Sequence, residues 1–198
     1  MKPVFTDPVM HSLHSKITAA FGDFKPITPA HHSQHFQRLS ESIISQQLAV
    51  RAADTIKERV RVAVGKNFEP KVVRGVPIEQ LRSAGLSNQK ASYIHSIAEY
   101  WLENNSQVRS LAQLEDEVII EMLTTIKGVG RWTAEMFLLS TLGRKDIFSI
   151  GDYGLRKAAI KAYGLLEESK PTEILELSQQ WQPHRSLASR ILWKSLEI

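Results

Sequence analysis

Two helical patterns meet in one short stretch of this sequence, Leu123-Thr-Thr-Ile-Lys-Gly-Val-Gly-Arg-Trp-Thr-Ala134. Its centre holds two glycines two positions apart, which permit positive φ angles and leave the backbone uncovered. The amides of Gly128, Gly130 and Arg131 are predicted to point outward at the start of the following helix. A helix N-terminus with free N–H groups binds a phosphate oxygen without any base contact. The stretch therefore predicts a hairpin between two helices that can hold a phosphate group.

The neighbours of these glycines favour an anionic partner. Lys127 and Arg131 place positive charge beside the hairpin, and we expect Val129 and Thr133 to complete the phosphate-binding segment. A short glycine motif also occurs in ordinary connections between helices of a bundle. The motif by itself leaves both interpretations open.

Apolar residues recur at helical spacing on both sides of the hairpin, which predicts an all-α fold. Phe36, Leu39 and Ile43 form one stripe after Thr28-Pro29, a pair that is typical of a helix start. The first 28 residues are irregular in pattern, and 146–150 is the one hint of extended chain. Further helical segments are predicted around residues 53–64, 78–86, 87–101, 114–123, 132–142, 152–163, 172–181 and 186–196.

The composition is that of an ordinary globular protein with a basic surface. The 198 residues are 42% hydrophobic and 23% charged, with a formal net charge of +4, which permits a nucleic-acid partner without proving one. The absence of cysteine excludes disulfides, thiolate metal sites and a cysteine nucleophile. We see neither a signal-peptide pattern nor an apolar run of about 18 residues that would suggest a membrane span.

Four motifs follow one another along the chain. They are Ser42-Ile-Ile-Ser-Gln-Gln-Leu48, the hairpin stretch, Phe148-Ser-Ile-Gly-Asp-Tyr-Gly-Leu-Arg-Lys157, and Trp181-Gln-Pro-His-Arg-Ser186 with Trp193. In this order they resemble the helix-hairpin-helix DNA glycosylase superfamily, and within it the 3-methyladenine DNA glycosylase II family. The resemblance runs from about Phe36 to the C-terminus. The sequence departs from the pattern at Lys127, where a proline is common, and we expect no additional N-terminal α/β domain of the kind that some relatives have.

The resemblance implies a fold and a function. We expect two helical lobes with a DNA-binding cleft between them: residues 1–35 with 144–198, and residues 36–143, which carry the helix-hairpin-helix at about 114–142. The implied activity is monofunctional hydrolysis of the N-glycosidic bond of alkylated purines, of the 3-methyladenine type, after base flipping. We expect double-stranded DNA with damaged bases as the partner, a monomer, no membrane association, and a location in the cytoplasm with the nucleoid or in the nucleus. Two alternatives stay open, a non-catalytic DNA-binding protein and a glycosylase for a mismatched or deaminated base.

Asp152 stands at the start of a predicted helix, where an aspartate is typical of an N-cap. The resemblance assigns the family's catalytic carboxylate to this residue, and the two roles are compatible. Cleavage of an N-glycosidic bond develops oxocarbenium-like charge on the sugar, which a fixed carboxylate stabilises. An alkylated purine already carries positive charge and leaves readily, so one essential acid is enough.

Three aromatic residues, Trp132, Tyr153 and Trp193, are predicted walls of the base pocket, because aromatic faces stack on a flipped base and attract a cationic one. The spacing of Trp101 and Trp181 predicts core positions instead. In lyase-type relatives a lysine stands at the position of Trp132 and forms a Schiff base with the sugar. Tryptophan at this position predicts that water is the nucleophile.

The segment after Ile44 offers a wedge for the gap that a flipped base leaves. Gln47 and Leu48 are the two candidates, and a plain polar connection between helices is the alternative. His31 and His35 are one turn apart, as two metal ligands would be, but no third ligand is near, so we expect a solvated first turn. We therefore expect no catalytic metal and no cofactor, with at most a structural monovalent cation at the hairpin carbonyls, as the resemblance implies.

Overall fold

The computed structural model describes residues 4–65 and 67–198. These residues form twelve α-helices and three short 3₁₀ turns and contain no strand, so the predicted all-α class is confirmed. The chain is divided into two compact units, Pro29–Phe137 and a second unit that joins the residues up to Thr28 with Leu138–Ile198. Within the described residues, no helix combines the length and the apolar character that a membrane crossing requires.

The unit Pro29–Phe137 is built around its longest helix, Asn88–Glu103, which packs mainly against three other helices. Its buried face carries Ile94, Ile97 and Trp101, as their spacing predicted. Ser87 caps this helix, since its Oγ accepts a hydrogen bond from the Lys90 amide at 3.2 Å. The helices are α2 (His35–Ser45), α3 (Val50–Val64), α4 (Pro70–Gly75), α5 (Ile78–Ser83), α6 (Asn88–Glu103), α7 (Asn105–Arg109), α8 (Asp116–Thr124) and α9 (Arg131–Ser140), whose last three residues belong to the second unit. The three partners of α6 are α2, α4 and α5.

The start of α2 differs from the sequence-based expectation. Thr28-Pro29 does not begin the helix, which starts at His35 after a 3₁₀ turn over His32–Gln34. His35 is only 1% exposed, its Nε2 lies 3.1 Å from the Ala30 carbonyl, and its ring packs edge-on against Phe137. The expectation of a solvated first turn is therefore wrong for His35, because the preceding chain supplies a hydrogen-bond partner and Phe137 an apolar wall.

The second unit contains a helix that the irregular N-terminal pattern did not predict. This helix, α1, spans Pro8–Phe21 and buries Met10 and Ile17, which are two turns apart and too few to form an obvious stripe. Asp7 caps it, since its Oδ2 accepts a hydrogen bond from the Met10 amide at 2.6 Å, and a proline follows the cap, an arrangement typical of helix starts. The other helices of this unit are α10 (Tyr153–Tyr163), α11 (Pro171–Ser178) and α12 (Arg185–Ser195).

The core of this unit surrounds Trp181, which is fully buried, and the predicted core positions of Trp181 and Trp101 are both confirmed. The Trp181 indole N–H donates to the Tyr163 hydroxyl at 2.8 Å, and that hydroxyl donates to the Asp7 carboxylate. Burial raises the pKa of Tyr163 well above its ordinary value, so this hydroxyl keeps its proton. The chain of hydrogen bonds ties the start of α1 to the core formed by α10 and α12.

Candidate functional site

The hairpin between α8 and α9 depends on one glycine. Gly128 has a φ of 95°, and a Cβ there would lie 2.1 Å from Cγ of Tyr93. Gly130 has no positive φ, and a Cβ on it would meet nothing within 4 Å. The expectation that both glycines serve positive φ angles is therefore wrong for Gly130. The turn is closed by the Val129 amide, which donates to the Ile126 carbonyl at 3.0 Å.

The predicted phosphate-binding segment presents its backbone more than its side chains. The side chains of Val129 and Thr133 are buried, with Thr133 only 2% exposed, whereas Lys127 is exposed. Arg131 begins α9, and the amides of a first helical turn have no acceptor within their own helix. Backbone amides, the Lys127 ammonium and the exposed part of the Arg131 side chain are the groups here that an anion can reach.

Arg131 has its guanidinium engaged by two carboxylates. Its two terminal nitrogens lie 2.7 and 3.0 Å from the oxygens of Glu117, and Nε lies 3.0 Å from Oε1 of Glu135. The hydrogen bonds to Glu117 raise the pKa of Arg131, and those same bonds lower the pKa of Glu117. The side chain of Arg131 thus stabilises the start of α9, and its charge is largely neutralised before any ligand binds.

The predicted wedge lies in a tight turn between α2 and α3, residues 45–48, which we call the wedge turn. The Leu48 amide donates to the Ser45 carbonyl at 3.2 Å, Gln46 has φ −52° and ψ 133°, and Gln47 has a φ of 57°. This is the pattern of a type II turn, whose third position usually holds glycine. Among the described residues Gln47 is the one non-glycine with positive φ, and this conformation costs about 1 kcal/mol. Both wedge candidates, Gln47 and Leu48, are exposed at this turn.

The wedge turn and the hairpin line the same groove, which has a volume of about 580 Å³. The Gln46 side chain connects the two, since its Nε2 donates to Oγ1 of Thr133 in the first turn of α9 at 3.1 Å. A third wall comes from the start of α6, where Lys90 donates to backbone carbonyls at the end of α2. Sequence reasoning did not identify Gln46 or Lys90, because both act through partners that are distant in the chain.

The other unit fixes a carboxylate. Asp152 is the N-cap of α10, as predicted, and its Oδ1 accepts hydrogen bonds from the Leu155 amide at 2.8 Å and from the Trp193 indole N–H at 3.2 Å. A Cβ on Gly154 would lie 3.1 Å from the same oxygen, so the glycine leaves room around it. The carboxylate is half-buried and held in one orientation by groups from two helices.

The segment before Asp152 is held at both ends rather than paired as a strand. Arg185 donates from Nε and Nη2 to the Asp146 carboxylate, with each nitrogen 2.9 Å from an oxygen. Arg156 donates to the Ile150 carbonyl at 2.7 Å. The segment 146–150, for which the sequence suggested extended chain, is therefore irregular backbone, and residues at the starts of α10 and α12 hold it in place.

The three predicted pocket aromatics differ in their surroundings. Tyr153 follows Asp152 and is 71% exposed, while Trp193 is half-buried against the core of the same unit and contacts the carboxylate. Trp132 belongs to the other unit, in the first turn of α9, and is 40% exposed. The structure thus brings Asp152 and Trp193 into contact, with Tyr153 next to Asp152 in the chain, and it separately brings the wedge turn and the hairpin together.

In the described part of the chain, no three histidine, aspartate or glutamate side chains are placed to share a metal ion. The arrangement offers one fixed carboxylate with adjacent aromatic faces, and one groove with backbone amides and an ammonium group. The first can stabilise a developing positive charge, and the second can bind an anionic backbone.

Comparisons with known proteins agree on one family. The sequence profile described as HhH-GPD superfamily base excision DNA repair protein matches residues 41–184. The chain is 31% identical over 193 residues to the alkylbase DNA glycosidase-like protein mag2 of Schizosaccharomyces pombe, covering 93% of this chain and 90% of that protein.

Solved structures show the same similarity. The 3-methyladenine DNA glycosylase Mag1 of Schizosaccharomyces pombe, in complex with abasic DNA, matches with a TM-score of 0.79 and 28% identity over 93% of this chain and 91% of that one. The DNA-3-methyladenine glycosidase of Bacillus halodurans matches with a TM-score of 0.76 and 34% identity over 96% and 90%.

Proposed function

Since the chain belongs to the HhH-GPD superfamily of base excision DNA repair proteins, we propose that it is a monofunctional DNA glycosylase. Its substrate is double-stranded DNA that contains alkylated purines of the 3-methyladenine type, and it acts as a monomer. Of the relatives named above, Mag1 and the Bacillus halodurans protein are named as a 3-methyladenine glycosylase and glycosidase, and mag2 as an alkylbase DNA glycosidase-like protein. The observation that carries the proposal is the carboxylate of Asp152, which two donors from different helices hold in one orientation.

Binding begins at the hairpin. The amides at the start of α9 donate to a phosphate, and Lys127 adds attraction that depends on salt concentration. Because phosphates carry no information about the base, this contact holds damaged and undamaged DNA alike. The carbonyl oxygens of the hairpin are oxygen ligands that suit a monovalent cation, which would stabilise the turn and take no part in the reaction.

Flipping follows at the wedge turn. A base that leaves the stack costs a few kcal/mol, and a side chain that enters the gap recovers part of this. Gln47 and Leu48 both project from the turn, so either can occupy the vacated space.

The flipped base then meets aromatic faces, and the carboxylate acts on its sugar. Tyr153 and Trp193 lie beside Asp152 and can stack on a cationic purine, with Trp132 as a further predicted stacking residue. The electrons of the C1′–N bond leave with the base, which neutralises its positive charge. Asp152 stabilises the cationic sugar and orients a water molecule, whose oxygen bonds to C1′ while its proton is released. Trp193 keeps the carboxylate oriented through its indole N–H.

Trp132 bears on the type of reaction. It stands where lyase-type relatives have the Schiff-base lysine, so the product is an intact abasic site without a nick. Borohydride treatment during the reaction should trap no covalent complex between protein and DNA. Stoichiometric trapping would show that another amine is the nucleophile.

Two variants of Asp152 test the proposal. Asp152→Asn keeps the shape and the capping ability, so the melting temperature should change little while single-turnover base release falls about 100-fold or more, at least about 2.7 kcal/mol. Binding to damaged DNA should survive, because the hairpin is unaltered. If Asp152 were only a cap, Asp152→Ala would lose stability while each folded molecule kept its turnover, and base release at the wild-type rate by Asp152→Asn would refute the assignment.

A further inference from the structure

The wedge turn is held by an ammonium group that the mechanism above does not use. Lys90, in the first turn of α6, extends its side chain to the end of α2 and donates from Nζ to the Ile44 carbonyl at 2.8 Å and to the Gln46 carbonyl at 2.6 Å. The first carbonyl belongs to the last turn of α2 and the second to the wedge turn. One side chain thus bridges the helix end and the turn that follows it.

This contact suits the charge distribution of a helix end. The last carbonyls of a helix have no intrahelical donors and carry partial negative charge, which a cation stabilises. The last turn of α2 contains no basic residue of its own, so Lys90 supplies the cation from another helix. Its side chain is half-buried, and burial lowers the pKa of Lys90. Holding the charged ammonium here therefore carries a desolvation cost, against which its two hydrogen bonds act.

Gln46 is fixed from two sides. Its carbonyl accepts from Lys90, and its side chain donates to Oγ1 of the buried Thr133. With Gln46 held at both groups, the next residue is forced to turn, and Gln47 adopts its positive φ with an exposed side chain. The unfavourable backbone conformation of Gln47 is therefore maintained by contacts of its neighbours.

We propose that Lys90 is a positioning residue for base flipping: it presets the wedge turn so that Gln47 and Leu48 enter the DNA stack without prior rearrangement. The inference rests on the proposed function, because it assigns the wedge role to this turn. Lys90 acts through carbonyls of the protein and not on the phosphate backbone. A preset wedge lowers the ordering cost of flipping, since rigid groups lose less conformational freedom on binding.

The experiment compares Lys90→Met, which keeps the aliphatic chain and removes the donors, with Lys90→Arg and with the control Lys71→Met. Lys71 is an exposed lysine of the same unit, on α4, so its variant removes one charge without touching the turn. Flipping is followed by the fluorescence of 2-aminopurine placed beside an alkylated base in duplex DNA. Single-turnover base release, affinity for undamaged duplex at several salt concentrations, and melting temperature are measured on the same proteins.

Lys90→Met should reduce the flipping signal and base release about 10- to 100-fold, the range expected from misplacement of a group by about 1 Å. Affinity for undamaged DNA and its salt dependence should stay within twofold of wild type. Lys90→Arg, which can still donate to carbonyls, should recover part of the loss, and Lys71→Met should resemble wild type. Unchanged flipping in Lys90→Met would overturn the proposal, as would a uniform loss of affinity with a salt slope lower by about 1, which identifies a phosphate contact.

Amide hydrogen exchange on the free protein separates this inference from the proposed function. Lys90→Met should speed exchange at the Leu48 amide, which closes the wedge turn, and leave the Val129 amide of the hairpin unchanged. If wild-type protein releases no alkylated base, the proposed function fails, yet the exchange at Leu48 still shows whether Lys90 holds the turn. Wild-type exchange at Leu48 in Lys90→Met would contradict the inference even if base release were confirmed.

Discussion

The groove of the unit Pro29–Phe137 and the carboxylate site of the other unit are stabilised in different ways. The hairpin and the wedge turn are shaped by backbone contacts, namely the approach of Gly128 to Tyr93 and the carbonyls held by Lys90. At the carboxylate site a single side chain, Asp152, carries the proposed chemistry, and the Leu155 amide and the Trp193 indole N–H orient it. Substitutions in the first region should therefore change DNA binding and flipping, whereas changes to the Asp152 carboxylate or to the hydrogen bonds that orient it should change the chemical step.

The largest expected effect in the groove comes from Gly128→Ala. The added Cβ would lie 2.1 Å from the Tyr93 ring, and the alanine would have to keep the positive φ of residue 128. We therefore expect a loss of about 3 kcal/mol in the free energy of unfolding and a parallel loss of DNA binding. Denaturant unfolding measures the first. The matched control is Gly130→Ala, where a Cβ meets nothing within 4 Å, so stability should stay within about 0.5 kcal/mol. Equal stability of the two variants would contradict the account of the hairpin.

Gly130→Asp sharpens the comparison, because it changes charge at the hairpin without a clash. A carboxylate beside the first-turn amides of α9 should weaken binding to damaged and undamaged duplex by a similar factor, about tenfold or 1.4 kcal/mol. Fluorescence anisotropy titrations with both duplexes measure this, with Gly130→Ala as the control for the added side chain. A folded Gly130→Asp that binds DNA as wild type does would make the hairpin a plain connector.

Trp193→Phe makes the corresponding test in the carboxylate region. The variant keeps an aromatic face and removes the indole N–H that donates to Asp152, so base release should slow by about 5- to 10-fold, about 1 kcal/mol, which is the net value of a typical hydrogen bond. DNA affinity should be unchanged, and the melting temperature serves as the control for packing. If the rate stayed at the wild-type value, the indole would not orient the carboxylate.

The smallest expected effect is a pH dependence in the unit that holds the groove. Burial lowers the pKa of His35, with the nearby His31, His32 and Arg38 acting in the same direction, so the unfolded chain binds a proton more readily than the folded one. The stability that neutral His35 contributes is present above about pH 6.5 and declines as the pH falls below it.

Urea unfolding at pH 7 and pH 5 should show this loss, and His35→Gln should reduce it. His31→Gln, at an exposed position, is the control and should keep the wild-type dependence. An equal loss of stability in wild type and His35→Gln would assign the effect to other groups.

The sequence predicts the fold class and most helices, because apolar spacing on long segments is a strong signal. The residue type and position of Asp152 predict an N-cap, and Asp152 caps its helix. Helix α1 was missed, since it buries few apolar residues, and the short helices α4 and α7 were missed as well. The burial of His35 was also missed, because it depends on a ring that lies a hundred residues away in the chain.

The candidate site is only partly predictable from the sequence. The residue types at Asp152, Gln47 and the hairpin stand out locally, so motif reasoning named them as candidates. The groups that hold them do not: neither Lys90 nor the pairing of Arg131 with Glu117 has a local signature, since each depends on which helices pack together. The sequence therefore indicates which groups are charged, and the structure shows which of them already have hydrogen-bond or ion-pair partners within the protein.

The central claim, hydrolysis of the N-glycosidic bond of alkylated purines, is tested most directly by the identity of the released base. Wild-type protein is incubated with duplex DNA that carries methylated purines, deaminated bases and mismatches, and the released bases are resolved by chromatography. We predict release of 3-methyladenine above the rate without protein, with strands that stay intact until alkali cleaves the abasic sites. Release of a deaminated or mismatched base alone would contradict the proposed substrate, and no release of any base would contradict the proposed activity.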